Sequence, residues 1–546
     1  MKFLMPWGNF LILPWKYWVE TRILKLTRIL KLGVGDDSDD LEGDFEKWKD
    51  LLWTTLKRKY VPQNENGGVS KKAKKKGTES TKLPDCVYAI DYHPDMTPLE
   101  AFDSDVNRGT VPLDSIALSS KNSHYFTAID CPVSTVKELR STEQDYGSTV
   151  HVEIDISDAG HAGDYMTADN LGVLPCNSNA VVEAVALALG YKLDSVFSVK
   201  AGKNPDGEVH EWHGVPFPTP LSVRELLTRY LDLTSAPRRS DLKLLSHYAK
   251  PGLDRKVLQR LSSKEGKQDY RTKIMDAKVG LVQLLQLCPS IQIPLEHLIG
   301  NICRLQLPRF YTISSCPKVY PTSIHLTVSV TQEKRPTTSD GRGNGNNDEQ
   351  PMFEGVCSTH IAAASQQNHL RVFVRPSTFR LPTELSTPII MIGPGTGIAP
   401  MRALLQDRQH TQEQQKLEGK PHHCTNVLYF GCQQAEVDYL YREELADYRE
   451  KGLLTDLHVA FSRKDPTQKE YVQHLLRRNS KETYQLLRNE GAYVYVCGGV
   501  KMGHDVTETL KEIFMEQSSV PMTKDDATNY LAQLSKDGRF VQELWS

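Results

Sequence analysis

The sequence predicts an all-β domain carrying a helical insertion, followed by an α/β domain built on a doubly wound parallel sheet. Three observations predict it. Short apolar runs at 389–392, 427–430, 458–461 and 493–496 alternate with helical stretches, as buried parallel strands do. Residues 150–156 and 324–330 instead alternate apolar and polar side chains, the pattern of half-buried strands. Between them, from about 179 to 303, the pattern turns helical, as at 222–231 and 273–287.

A chain of 546 residues has room for two to four domains with sizeable cores. The formal net charge of -2 excludes a global nucleic-acid footprint. The 10 cysteines form no Cys-x-x-Cys pair, which argues against a zinc knuckle or disulfide framework and suits a reducing compartment. No metal site is expected.

Residues 3–15 are apolar and aromatic, but Pro6, Gly8 and Pro14 interrupt them. The segment is too short to span a bilayer as a helix and lacks a small-residue cleavage site. Two readings stand: an interfacial contact anchored by Trp7, Trp15 and Trp18, or a short buried or poorly ordered segment. Residues 62–82 read as a linker whose basic run, from Lys71 to Lys76, is solvated. Residues 336–350, rich in Gly, Asn and Asp, read as a disordered loop tip.

The first run of the α/β region leads into Gly393-Pro394-Gly395-Thr396-Gly397, just before a helical segment at 401–406. Glycines let backbone approach a pyrophosphate, and a helix N-terminus offers free N–H groups. The third run ends in Ser462-Arg463, with Lys469, Tyr471 and Gln473 close behind. A hydroxyl, a guanidinium and an ammonium at one strand end suit a dianionic 2′-phosphate, with Tyr471 over an adenine, and favour NADPH over NADH. Trp545 stands at the extreme C-terminus, a place for a ring held against something flat. With the glycine turn it points to flavin and nicotinamide chemistry.

In Arg309-Phe310-Tyr311-Thr312, the arginine can pair with a diphosphate, the tyrosine can lie along an isoalloxazine and the threonine can hydrogen-bond near its N5. Gly355-Val356-Cys357-Ser358-Thr359 opens a helix and suits a second pyrophosphate cradle. Cys497 ends the fourth run and is read either as a thiol beside the nicotinamide C4 or as a small core residue.

Taken in order, these segments resemble the NADPH–cytochrome P450 reductases and their diflavin relatives, from about Arg28 to Ser546. The FAD motifs are matched by the segments at Arg309 and Gly355. The NADPH segments are matched by 393–400, 439–445, Ser462-Arg463 and 495–498. Trp545 matches the ring that shields the flavin, and the helical insertion matches a connecting domain. The resemblance implies a ferredoxin-NADP reductase-like module: an FAD-binding antiparallel β-barrel with a connecting insertion, then an NADPH domain. It implies a 1–60 lead, a 61–84 linker, a barrel domain over 85–385 with its insertion, and an NADPH domain over 386–546. It also implies that Trp545 swings aside while NADPH passes a hydride to the flavin N5, tuned by Thr312, Cys497 and Glu543.

The departures are specific. Thr312 stands for a serine, Glu543 for an aspartate, Gly499 for an acidic residue and Thr327 for a common cysteine, so slower hydride transfer is expected. Arg28 to Asp37, with Asp44 to Trp48 and Trp53, resembles only the last strand and helix of an FMN domain. FAD and NADPH are therefore expected and FMN is not. The acceptor is then a cytochrome P450, another hemoprotein or a separate FMN domain. The expected location is cytoplasmic, peripheral at the endoplasmic reticulum. A sulfite reductase flavoprotein, a nitric oxide synthase reductase half and a non-catalytic truncated product are the competing readings.

Overall fold

The two alternating runs lie side by side in an antiparallel barrel. Its strand order is Ser323–Val330, Ser148–Asp155, Ile129–Glu138, His369–Arg375, Asn170–Leu174, Arg309–Thr312. A bridge between Ile313 and Leu326 joins the last strand to the first and closes the circle. Branched residues such as Val152, Ile154, Leu171, Ile324, Leu326 and Val372 fill the interior. Each contributes about 1.5–3 kcal/mol by leaving water, which fixes the register of the alternation.

The computed structural model describes residues 4–6, 34–36, 48–49, 51–55, 83–102, 124–141, 147–204, 206–210, 214–335, 352–364, 369–421, 423–465 and 467–545. The chain divides into two units, Met1–Ser80 and Thr81–Ser546. In the first, Leu4–Pro6 pairs antiparallel with Val34–Asp36, and residues 51–55 are helical with Trp53 exposed. The tryptophan anchors at 7, 15 and 18, the basic run at 71–76 and the loop tip at 336–350 lie outside the described residues. Among the described residues no helix is long and apolar enough to cross a membrane.

The insertion between the barrel strands is helical, with helices such as Asn179–Leu189, Val223–Arg229 and Leu253–Ser262. It departs from the sequence reading twice. Val196–Ala201 and Leu221–Ser222 are strands that join Tyr88–Tyr92 in a small antiparallel sheet, because Val196, Phe197 and Val199 have a partner edge outside the insertion to bury against. The helix expected over 273–287 is two pieces, a π-helical turn at Arg271–Met275 and a helix at Leu281–Leu287. Between them Lys278 takes a left-handed backbone (φ +49°), and the Leu281 N–H leaves the helix ladder for the Leu233 carbonyl at 3.0 Å.

In the C-terminal domain five strands run parallel, in the order Asp456–Phe461, Asn426–Cys432, Ile389–Ile392, Tyr493–Gly499, Phe540–Trp545. Period two sends Ile390, Val427, Tyr429 and Val494 onto one helical layer, which includes Val500–Gln517. It sends Ile389, Met391, Leu428 and Phe430 onto another, led by Ile398–Leu417. Sequence reading found four of these strands. The fifth escaped it because Gln542 and Glu543 break up its apolar run.

Candidate active site

The order of the parallel strands reverses between Ile389–Ile392 and Tyr493–Gly499, and such a reversal opens a crevice at the carboxyl ends. Both segments singled out in the sequence sit there. Gly395 has φ +57°, open only to glycine at little cost. A Cβ on Gly397 would lie 2.2 Å from the Cys497 carbonyl oxygen, so the turn rests directly on the end of the fourth strand.

Facing this crevice from the barrel is a cavity of about 710 Å³. This falls within the ~300–1,000 Å³ usual for small-molecule and cofactor sites. Arg309, Phe310, Tyr311 and Thr312 form one wall. Gly355, Val356, Cys357 and Ser358 form another at the start of the Val356–Ala362 helix. Thr396, Cys497 and Trp545 complete it from the C-terminal domain. The terminal indole, the Arg309 segment and the glycine bend therefore share one space. The fifth strand holds the indole there, because Trp545 pairs with Gly499 and Glu543 with Cys497.

Thr312, Glu543 and Cys497 meet at the deep end. The Thr312 hydroxyl lies 3.4 Å from Glu543 Oε2 and 3.3 Å from Asn170 Oδ1. Burial, reinforced by the Glu543 carboxylate, pushes the Cys497 thiol well above the ordinary range, so it stays protonated. Ser377 Oγ donates to Glu543 Oε1 at 2.6 Å, and Ser377 N–H donates to Asp169 Oδ1 at 3.0 Å. Arg380 Nη2 donates to the same Asp169 oxygen at 2.8 Å. Sequence reading missed Asn170, Ser377 and Asp169, which carry no motif; Ser377 meets Glu543, Asn170 meets Thr312 and Asp169 holds Ser377 only through the fold.

At the other wall, a Cβ on Gly355 would sit 2.8 Å from both Ser358 Oγ and Thr331 Cβ. Ser358 Oγ accepts from the Thr331 N–H at 3.1 Å, and Thr359 Oγ1 donates to the Gly355 carbonyl at 2.8 Å. These hydroxyls brace the turn, so the first-turn N–H groups, which have no intrahelical acceptor, are left to meet a ligand. Burial pushes the Cys357 thiol up to about 12, and the Tyr311 phenol beside it also rises. Phe310 is engaged by the Arg375 guanidinium, 3.5 Å from its ring centroid, and by the edge of Phe373.

Ser462, Arg463, Lys469, Tyr471 and Gln473 do not line this cavity. They cluster after the Asp456–Phe461 strand and at the start of the Val472–Arg478 helix. Ser462 and Arg463 are pinned by backbone N–H bonds of 2.9 Å to the Cys432 and Gln433 carbonyls. The Arg463 side chain is left for solvent or ligand, and Tyr471 is exposed. The Gln473 side-chain oxygen is buried with no partner among the described residues, an atom a bound ligand would satisfy.

The barrel and the C-terminal domain are locked by a buried polar network centred on Tyr441 and Glu444, inside the 439–445 segment that the sequence singled out for a different role. Tyr441, with φ +53°, places its hydroxyl 2.7 Å from Thr327 Oγ1 and 3.0 Å from His151 Nδ1. Arg402 donates to Glu444 and to the Ser314 carbonyl, both at 2.8 Å, and lies 3.4 Å from His325 Nδ1. His151, Glu153 and His325 have ligand atoms within 4.8 Å of one another, but the guanidinium of Arg402 already supplies a cation beside them.

Burial, then His151 and Arg402, pushes His325 down to about 3; burial and Arg402 also lower His151. Both are neutral when folded, while the unfolded chain takes up protons near pH 6.5. The share from His325 is therefore full above about pH 6.5 and falls as pH drops toward 3, by roughly 1.4 kcal/mol per pH unit, and the lowered His151 acts in the same direction. The expected result is a steeper fall in Tm between pH 7 and 5 for the parent than for His325→Asn. Equal slopes in thermal melts would refute this role.

Residues 120–360 match the family described as FAD binding domain, and residues 391–508 match the oxidoreductase NAD-binding domain. The chain is similar to the NADPH–cytochrome P450 reductase of Sus scrofa, 35% identical over 97% of this chain and 73% of that protein. It is 34% identical to the Homo sapiens NADPH–cytochrome P450 reductase, over 97% of this chain and 72% of that protein. For the Drosophila melanogaster NADPH–cytochrome P450 reductase the identity is 32% over the same shares.

Proposed function

From the premise that this chain belongs to the NADPH–cytochrome P450 reductase family, we propose that the cavity between Arg309, Gly355 and Trp545 is where its FAD is reduced. The chain is an NADPH-dependent flavoprotein oxidoreductase that passes electrons to a hemoprotein. FAD, when bound, takes a hydride from NADPH and hands the electrons on.

The cavity suits that cofactor on its own terms. The Gly355 bend leaves no room for a Cβ, and the helix start beside it presents N–H groups to a diphosphate. Arg309 brings a guanidinium to the same wall. Tyr311 and Trp545 supply flat apolar surface. Thr312, one strand residue beyond Tyr311, offers a hydroxyl whose direction Asn170 and Glu543 set.

Glu543 is the residue placed to stabilise positive charge developing on a nicotinamide. Its extra methylene, relative to aspartate, is taken up by contacts at both oxygens, Ser377 on one and Thr312 on the other. Cys497 contributes a neutral thiol and packing at the same spot. Gly395 and Thr396 serve the coenzyme pyrophosphate. Ser462, Arg463, Lys469, Tyr471 and Gln473 hold its 2′-phosphate and adenine, and the unpartnered Gln473 oxygen supports that assignment. Trp545, 44% exposed, covers the flavin and must move for the nicotinamide to reach it.

The observation that carries the reading is the convergence of Thr312, Cys497 and Trp545, from three distant stretches of chain, on one cavity, with Glu543 3.4 Å from the Thr312 hydroxyl. The test is direct. Purified protein should be yellow, release FAD on denaturation, and bleach on anaerobic addition of NADPH. A colourless protein that cannot be loaded with FAD would overturn it. A cytoplasmic location, peripheral at the endoplasmic reticulum, belongs to the same proposal; the aromatic and basic residues near Trp15 support it. Recovery of the chain in a lumenal fraction of the same cells would remove that part.

A further inference from the structure

A second cavity, of about 400 Å³, lies between the barrel and the C-terminal domain and shares no lining residue with the first. That volume also suits a small organic molecule. Its walls come from three places. Met166 and Thr167 precede the Asn170–Leu174 strand, and Lys318 follows the Arg309–Thr312 strand. Asp407 and Arg408 stand on the Ile398–Leu417 helix. Arg380, Leu381, Pro382 and Leu385 belong to the connection between the His369–Arg375 and Ile389–Ile392 strands.

Cations outnumber anions on these walls. Lys318, Arg380 and Arg408 line the cavity against one carboxylate among the described residues, Asp407. Both Asp407 oxygens are taken, because Lys318 Nζ donates to Oδ1 at 2.7 Å and Thr167 Oγ1 donates to Oδ2 at 2.6 Å. Arg408 is 2% exposed and donates through Nη2 to the Leu385 and Thr387 carbonyls, with no carboxylate paired to it among the described residues. A buried guanidinium without a counter-charge is costly, and burial pushes its pKa below the usual arginine value. Arg380 is half-buried. Its Nη1 donates to the Phe379 carbonyl at 2.6 Å and its Nη2 to Asp169 Oδ1 at 2.8 Å, while its Nε has no acceptor among the described residues. Leu381, Pro382, Leu385 and the exposed Met166 make the rest of the wall apolar.

We propose that this second cavity binds a small organic anion, a carboxylate on an apolar body, with Lys318 and Arg380 taking the head and Leu381, Leu385 and Met166 taking the body. A guanidinium fork matches a carboxylate in geometry as well as in charge. The site is joined to the chemistry by hydrogen bonds. Asp169 Oδ1 accepts from both Arg380 Nη2 and the Ser377 N–H, and Ser377 Oγ donates to Glu543. An anion that draws Arg380 away leaves Asp169 to the Ser377 N–H and to the Met166 N–H, 2.9 Å from Oδ2, so Glu543 loses part of its support. Occupancy of the cavity therefore slows hydride transfer. That link rests on the reading of Glu543 given above, whereas the binding itself does not.

Octanoate is the probe, titrated by calorimetry into the protein loaded with FAD. Octanol and inorganic phosphate control for the head and for the apolar body. Octanoate should bind saturably, at least about tenfold tighter than either control. Arg380→Gln should weaken it about tenfold or more. Because that variant also loosens Asp169, Met166→Glu supplies a second arm on an exposed side chain. It places a negative charge on the wall and should weaken octanoate by a similar factor, with Tm and flavin reduction at the parent's values. No saturable binding, or parent-like binding in both variants, would overturn the site. Octanol or phosphate binding as tightly as octanoate would overturn the ligand class. In stopped flow, saturating octanoate should slow flavin reduction by NADPH about 2–30-fold, the span usual for coupling through a bonded network. Octanoate that binds and leaves that rate unchanged would overturn the link to Glu543. A protein that takes up no FAD would sink the flavin reading and leave the calorimetric test standing.

Discussion

Glu543→Gln is expected to slow flavin reduction by NADPH about 10²–10³-fold, the usual cost of removing one group aimed at charge that develops in a transition state. The substitution keeps the shape and can still accept from Ser377, whose hydroxyl lies 2.6 Å from the carboxylate. What it removes is the negative charge beside Thr312 and Cys497. The effect should therefore fall on the hydride-transfer rate in anaerobic stopped flow, with KM for NADPH little changed. A rate within about threefold of the parent would mean that the carboxylate only shapes the strand end.

Arg463→Ala carries the second large effect, and it separates binding from chemistry. If the guanidinium pairs with the 2′-phosphate, its loss costs about 1.5–3 kcal/mol of charge-assisted hydrogen bonding. That corresponds to a rise of about 10–150-fold in KM for NADPH. NADH lacks the phosphate, so its kcat/KM should hardly move. The backbone of residue 463 is fixed by its bond to the Gln433 carbonyl, so the loop should keep its place without the side chain. Equal losses for both coenzymes would remove the 2′-phosphate assignment.

The architecture was legible because its two periods are written plainly. Continuous apolar runs such as Ile389–Ile392 must be covered on both faces, and the alternation at Ser323–Val330 must be covered on one. The insertion was less legible. Val196–Ala201 has too few residues to show a period, and its partner strand Tyr88–Tyr92 lies far back in the chain. The break at Lys278 was invisible for a different reason. The apolar spacing across 273–287 hid what Gly280 signals: it caps the second piece, where a Cβ would lie 2.8 Å from the Thr234 carbonyl oxygen, and the Leu281 N–H bonds the Leu233 carbonyl.

The site divides the same way. Arg309 to Thr312, the Gly355 bend, the Gly393–Gly397 turn, Ser462-Arg463 and Trp545 each bear chemistry in their own side chains or in the lack of one, so order along the chain was enough to single them out as candidates. Asn170, Ser377, Asp169 and the Lys278–Phe353 contact have no such mark. By itself the sequence determined the kinds of domain, the cofactor-facing motifs and the place of the terminal indole, because local pattern and residue chemistry act over a few positions. Only the tertiary structure decided that Ser377 holds Glu543 beside Thr312 and that Tyr441 and Arg402 lock the two domains together. Those contacts join residues brought together by packing, and packing is a property of the whole chain.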